Sequence, residues 1–91
     1  MKISNQKKEK ISEQILALLY SLAPKAIYTA HIAQEIARDE EFVKVLLIDL
    51  RKKGLIVEIK KNPDGKAYSR RIRWRISDRA YTIYKQKQMN P

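Results

Sequence analysis

Residues 60–75 contain seven lysines and arginines and a single acid, Asp64, so their local net charge is +6. The seven bases are Lys60, Lys61, Lys66, Arg70, Arg71, Arg73 and Arg75. The whole chain of 91 residues carries a formal net charge of +10, which favours a polyanionic partner through release of that partner's counterions. No carboxylates stand at cross-strand spacing to neutralise this segment. A strand edge kept soluble by charge is the alternative interpretation.

Side chains that catalyse reactions or bind metals are scarce. The chain has no cysteine and one histidine, His31, which alone cannot form a metal site. Glu40 and Glu41 are adjacent, so on a helix they would point about 100° apart instead of facing each other. No glycine-rich phosphate loop and no Ser/His/Asp set is visible. The sequence therefore predicts a protein that is not an enzyme, with no catalytic residues, no metal and no cofactor.

Apolar periodicity predicts two helices in the first part of the chain. The first begins at Lys7 and ends before Pro24, because the residue that precedes a proline is disfavoured in the α region. Ile27 and Tyr28 form a short β-like link. Thr29 is the predicted N-cap of a second helix over 30–37, which buries Ile32, Ala33 and Ile36.

A third helix is predicted over 40–53. Asp39 is its expected N-cap, and Glu40 and Glu41 lie in the first turn, where the helix dipole favours acids. Its buried stripe comprises Phe42, Val43, Leu46, Leu47 and Leu50. Gly54 is the expected stop, since glycine readily adopts the left-handed conformation that often follows a helix.

The basic segment itself is predicted to form two strands, over 55–61 and 67–76, joined by a turn at 62–65. The second strand alternates, with Ile72, Trp74 and Ile76 on one face and Arg71, Arg73 and Arg75 on the other. Trp74 is the main aromatic contact expected between these strands and the helices. Ser77 caps a closing helix over about 78–88, whose apolar side comprises Ala80, Ile83 and Tyr84.

This order of elements resembles the winged helix–turn–helix family, nearest in layout to small MarR/PadR-like and archaeal regulators. The spacing that carries the resemblance runs through Thr29, Ile32, Ala33, Ile36, Val43, Leu47, Leu50 and Lys53-Gly54-Leu55. The segment RIRWRISDRAY also resembles the family's wing strand and closing helix. The resemblance covers about 7–87. It implies an α+β fold with a three-helix core, a two-stranded basic β-hairpin wing and a C-terminal closing helix, in a single domain over 1–91 with frayed ends at 1–6 and 89–91.

The resemblance also implies a transcriptional regulator that binds double-stranded DNA. The expected DNA-binding residues are Lys44, Lys60, Lys61, Lys66, Arg70, Arg71, Arg73 and Thr29. A homodimer is expected, with Tyr81 and Tyr84 at its interface. The N-terminus has no apolar core of signal-peptide type and no stretch is long enough to cross a membrane, so we expect a cytoplasmic location.

The third helix departs from the family pattern, because 39–49 holds four acids and one base, Lys44. A carboxylate can accept a hydrogen bond from a cytosine amino group, and outward-facing Val45 and Ile48 can contact thymine methyls or a protein partner. Two other hypotheses therefore stand beside the regulator. One is an architectural or replication/partition DNA binder, and the other is a winged-helix module that binds RNA or protein.

Overall fold

The computed structural model describes residues 5–60 and 72–89. Its helices and strands are Asn5–Leu22 (α1), Ile27–Tyr28 (β1), Thr29–Glu35 (α2), Glu40–Lys52 (α3), Ile56–Ile59 (β2), Arg73–Ile76 (β3) and Asp78–Met89 (α4). The predicted turn at 62–65 and the outer parts of both predicted wing strands lie outside the described residues. Across the described ranges, none of the helices combines the length and the apolar character that a membrane span requires.

The sheet has three antiparallel strands in the order β1-β3-β2. Strands β2 and β3 form the two-stranded wing that the sequence predicts, and the β-like link at Ile27–Tyr28 adds the third strand. Ile27 pairs with Trp74 across β1 and β3, and Ile56 pairs with Ile76 across β2 and β3. The short link before α2 is therefore a true strand, because its extended backbone completes the otherwise open edge of β3. This pairing joins the helix–turn–helix to the wing.

The core lies between the helices and one face of the sheet. Its largest side chain is Trp74, which is fully buried as predicted. The other buried apolar residues are Ile11, Ile15, Leu16, Leu19, Ile27, Ile32, Ala33, Val43, Leu46, Leu47, Leu50, Ile56, Ile76 and Ala80. Ile36 and Phe42, for which the sequence predicts burial, are only half-buried at the margin of this core.

The ends of α3 follow the sequence prediction, whereas the start of α2 does not. The Asp39 carboxylate accepts a hydrogen bond from the backbone N–H of Phe42 at 3.1 Å, and Gly54 adopts a positive φ of 76° after the helix. The sequence predicts Thr29 as the cap of α2, but the N-cap is Tyr28 and no side chain caps it. Thr29 is instead the first helical residue, and its hydroxyl has another partner.

The cap of α4 is confirmed, but the predicted buried side of this helix is partly wrong. Ser77 Oγ accepts from the backbone N–H of Ala80 at 3.1 Å and donates to the carbonyl of Gly54 at 2.9 Å. Ala80 is buried and Tyr84 is half-buried, whereas Ile83 is exposed. The helix therefore covers the core with a narrower apolar face than its sequence suggests.

Candidate nucleic-acid interface

Helix α3 presents a solvent-facing stripe opposite its buried side. At about 100° per residue, the buried positions place Glu41, Val45 and Lys52 on the far side of the helix. Val45 is 60% exposed, in agreement with its predicted outward position. The sequence also predicts an exposed Ile48, and this prediction is wrong because Ile48 is half-buried and packs against the core.

Charges on the outer surface of α3 fall into two groups. Near the end of the helix, Asp49 forms an ion pair with Lys53 at 3.0 Å. Near its start, Glu40, Glu41 and Lys44 are exposed, and no ion pair joins them to any residue within 5–60 or 72–89. These three groups are therefore available to a partner that approaches the start of α3.

At the base of the wing, an acid that precedes the basic segment, Glu58, contacts a wing lysine along the same strand and not across strands. The Nζ atom of Lys60 lies 3.1 Å from Oε1 of Glu58, and Nη1 of Arg51 lies 2.8 Å from Oε2 of the same side chain. Glu58 and Lys60 stand two residues apart, so their side chains leave the strand on the same side. Arg51 reaches this point from the last turn of α3.

The arginines of β3 lie on the outer face of the sheet. Arg73 is half-buried and is paired in register with Ile59 on one side and Tyr28 on the other. Arg75 Nη1 donates to the carbonyl of Ile76 at 3.0 Å and lies 3.5 Å from a carboxylate oxygen of Asp78. The other predicted DNA-binding residues of the wing, Lys61, Lys66, Arg70 and Arg71, lie outside the described residues.

Thr29 is one of the predicted DNA contacts, and the structure places its hydroxyl against the wing strand. Its Oγ1 accepts a hydrogen bond from the indole Nε1 of Trp74 at 2.8 Å. This contact joins the first residue of α2 to β3 and satisfies the only polar side-chain atom of a fully buried tryptophan. The geometry gives Thr29 a role in orienting the wing relative to the helix–turn–helix.

Sequence reasoning missed Arg51 and Glu58 as parts of this surface. By sequence, Arg51 is only a base favoured by the dipole of α3, and Glu58 is only a member of a strand. Their ion pair joins α3 to β2, the strand that follows it after the turn at Gly54. Neither helical nor strand periodicity predicts such a pair. The one available signal is that Glu58 is the only acid in the two predicted wing strands, since Asp64 lies in the predicted turn between them.

The predicted dimer residues Tyr81 and Tyr84 both contact Tyr20 of α1 within the same chain. The ring centroids of Tyr20 and Tyr81 are 5.1 Å apart, and those of Tyr20 and Tyr84 are 5.5 Å apart in a stacked arrangement. Burial raises the pKa of the Tyr84 hydroxyl, and the negative charge of Glu13 adds to the rise. Tyr81 stays 37% exposed, so it is the more accessible of the two to a partner.

No group of three or more His, Cys, Asp or Glu side chains in the described part of the chain is arranged to hold a metal ion. The cations of this region stand on separate elements, with Lys44 and Arg51 on α3, Lys60 just after β2 and Arg73 on β3. Such spacing suits contacts spread along an extended polyanion.

Comparisons with known proteins agree with this architecture. No protein-family model matches the chain, and no curated protein matches it significantly in sequence. Among solved structures, S. aureus MepR in a DNA complex has a TM-score of 0.72 at 20% identity, with 93% of this chain and 69% of that chain covered. MarR from E. coli in its apo form has a TM-score of 0.68 at 18% identity, with 93% and 68% covered.

A mutant of ZitR from Lactococcus lactis in its apo form has a TM-score of 0.64 at 23% identity, with 92% of this chain and 61% of that chain covered. The chain thus spans between half and about two thirds of the length of the structures that it resembles. At these low identities the likeness concerns the fold. The fold of this chain is the winged helix–turn–helix.

Proposed function

We propose that this chain is a non-catalytic, sequence-specific DNA-binding domain of a transcriptional regulator, formed by residues 1–91 as one unit. The observation that carries the proposal is the exposed face of α3 beside a basic wing, on a fold that MepR also has in its complex with DNA. In helix–turn–helix proteins the second helix of the motif enters the major groove, and its N-terminal residues contact base edges. Helix α3 holds that position here.

The proposed contacts divide between reading bases and holding phosphates. We propose that base edges are contacted by three residues near the start of α3, Glu41, Lys44 and Val45, because a carboxylate can accept from cytosine and a methyl group can contact thymine. The proposed phosphate and minor-groove contacts come from the wing residues Lys60, Lys61, Lys66, Arg70, Arg71 and Arg73. Thr29 contributes indirectly, through its hydrogen bond to Trp74.

Replacing Arg70, Arg71 and Arg73 with alanine tests the wing as the main phosphate-binding element. We expect binding to weaken by a similar factor on all duplexes. The slope of log affinity against log salt should flatten by about 0.9 for each phosphate that the variant no longer neutralises. Fluorescence anisotropy with labelled duplexes at several salt concentrations measures both quantities. Preferred sites come first from a selection on random duplex DNA.

Replacing Arg79, Lys85 and Lys87 on α4 with alanine is the matched control, because it removes the same charge from exposed positions outside the wing. It should alter the salt slope far less than the wing variant does. Equal slopes for the wing variant and the parent would exclude the wing as the phosphate-binding element. Binding with a steep salt dependence but no preferred site would favour an architectural DNA binder instead.

We also propose a homodimer, since one small module makes few contacts and a two-fold pair reads two half-sites. Tyr81 and Ile83 are exposed large apolar residues of α4, and they support this helix as the interface. Sedimentation of the free protein at micromolar concentration should show a dimer that Tyr81→Glu disrupts. A parent that sediments only as a monomer would contradict the proposal.

The exposure of Val45 supports a second candidate, in which the stripe on α3 docks a protein partner. Val45→Thr keeps the side-chain shape and replaces one methyl group with a hydroxyl, so it separates the two candidates. Under DNA binding, it should change preference at one base position and little else, as measured by repeating the selection. An unchanged preference would favour the protein partner.

A further inference from the structure

Glu58 is an acid at the base of the basic wing, and it holds cations from two different elements. Its Oε2 accepts from Nη1 of Arg51 at 2.8 Å, and its Oε1 lies 3.1 Å from Nζ of Lys60. Arg51 belongs to the last turn of α3, whereas Lys60 directly follows β2. One carboxylate therefore joins the helix that we propose reads bases to the wing that we propose holds phosphates.

The exposures of the three side chains differ in a way that suits this role. The Glu58 side chain is 12% exposed, whereas those of Arg51 and Lys60 are 38% and 58% exposed. The acid is thus largely withdrawn from solvent while both cations remain accessible. A cation already held in one geometry loses less side-chain freedom when it meets a phosphate, so its contact is pre-organised.

The backbone of Glu58 is itself firmly placed. Its cross-strand neighbour is Trp74, which is fully buried and whose indole is hydrogen-bonded to Thr29 at the start of α2. The carboxylate therefore projects from a rigid part of the sheet toward the end of α3. The wing is therefore joined to α2 by the hydrogen bond from Trp74 to Thr29, and to α3 by the ion pair of Glu58 with Arg51.

We infer that Glu58 is a positioning residue for sequence-specific DNA binding, which fixes the wing in register with α3 so that both meet a duplex as one body. This inference rests on the proposed function. An acid at this place reduces the attraction to phosphates, so its contribution is to discrimination and not to overall affinity. Specific binding depends on α3 and the wing being aligned, whereas non-specific binding depends mainly on charge.

Glu58→Gln tests the inference, because the amide keeps the shape of the side chain and removes its charge. The matched control is Asp49→Asn, which also removes one negative charge and also releases a lysine, Lys53, but lies within α3 and joins no second element. The affinities of both variants for a selected site and for a random duplex are measured at several salt concentrations. Thermal melting of each variant shows whether it is folded.

For Glu58→Gln we expect equal or tighter binding to the random duplex, weaker binding to the selected site, and a specificity ratio lowered about tenfold. Asp49→Asn should shift both affinities by one common factor and leave the ratio unchanged. A loss of stability alone would not lower the specificity ratio of one variant and leave that of the other unchanged. A Glu58→Gln variant that behaves like Asp49→Asn would overturn the inference.

Arg51→Lys provides an independent test of the inference if Glu58→Gln is poorly folded. It keeps the charge but offers a compact ammonium in place of the longer guanidinium fork, so the bridge from α3 to β2 is weakened. We expect the same fall in the specificity ratio, and an unchanged ratio would overturn the inference.

If the parent chain binds no duplex at any salt concentration, the proposed function fails. Parent binding with ratios unaffected in the variants overturns only the role of Glu58.

Discussion

Trp74 and the tyrosine cluster of Tyr20, Tyr81 and Tyr84 both join distant parts of the chain through aromatic rings, but they differ in burial. Trp74 is fully buried between sheet and helices, and its single polar side-chain atom is hydrogen-bonded. In the tyrosine cluster the rings are in contact, yet Tyr20 and Tyr84 are half-buried and Tyr81 is exposed. The wing is thus fixed to the helix–turn–helix by a contact that excludes water, whereas the ring contact between α4 and α1 is one that water reaches.

This difference has a physical consequence for stability. Local opening costs least where few apolar contacts are buried, so α4 should separate from α1 more readily than β3 separates from the core. A surface that opens readily suits an element that we propose meets a second copy of the chain. A wing that must present cations in one register needs the rigid attachment.

The largest effect is expected for Trp74→Ala. Removing a fully buried aromatic side chain should lower the free energy of unfolding by about 3–5 kcal/mol, which is a large part of the roughly 5–15 kcal/mol typical of a domain. Thermal unfolding followed by circular dichroism measures the decrease. Tyr81→Ala is the comparison and should cost much less. Similar decreases for the two variants would remove the contrast between these regions.

An intermediate effect is expected for Thr29→Val, which keeps the shape of the side chain but deletes the acceptor of the Trp74 indole N–H. The buried donor is then unsatisfied, and we expect the free energy of unfolding to fall by about 1–3 kcal/mol. Urea unfolding followed by the fluorescence of Trp74, the only tryptophan, reports the change. Thr29→Ser restores the hydroxyl and should stay closer to the parent. Equal stability of the Val and Ser variants would show that this hydrogen bond contributes nothing.

The smallest effect is expected in the tyrosine cluster at high pH. The pKa of Tyr84 is raised above its ordinary value of 10.0, first by burial and then by Glu13, so the unfolded chain loses this proton before the folded one does. The stability that the neutral hydroxyl contributes is therefore present below pH 10 and is lost as the pH rises through the higher pKa of the folded state. Tyr84→Phe should flatten the decline of unfolding free energy above pH 10. A parent and variant that decline in parallel would contradict the assignment.

The local features of this fold could be predicted from sequence because their causes are local. Asp39, Gly54 and Ser77 act on backbone groups within a few residues, and the pattern around Trp74 follows from the alternation of a strand. The helices of the helix–turn–helix likewise follow from the spacing of their apolar residues. For the candidate interface, the positive charge of the wing and the outward position of Val45 could also be predicted from the sequence.

The joining of these elements depended on how the chain packs in three dimensions. The sequence predicts that the Thr29 hydroxyl caps its own helix, but it accepts from an indole 45 residues away. Two residues before α2 become the third strand of the sheet, and Glu58 joins Arg51 to Lys60 across a helix and a strand. Hydrogen-bond and ion-pair partners depend on which surfaces meet when the chain packs. Periodicity along one element carries no information about the surface that it will meet.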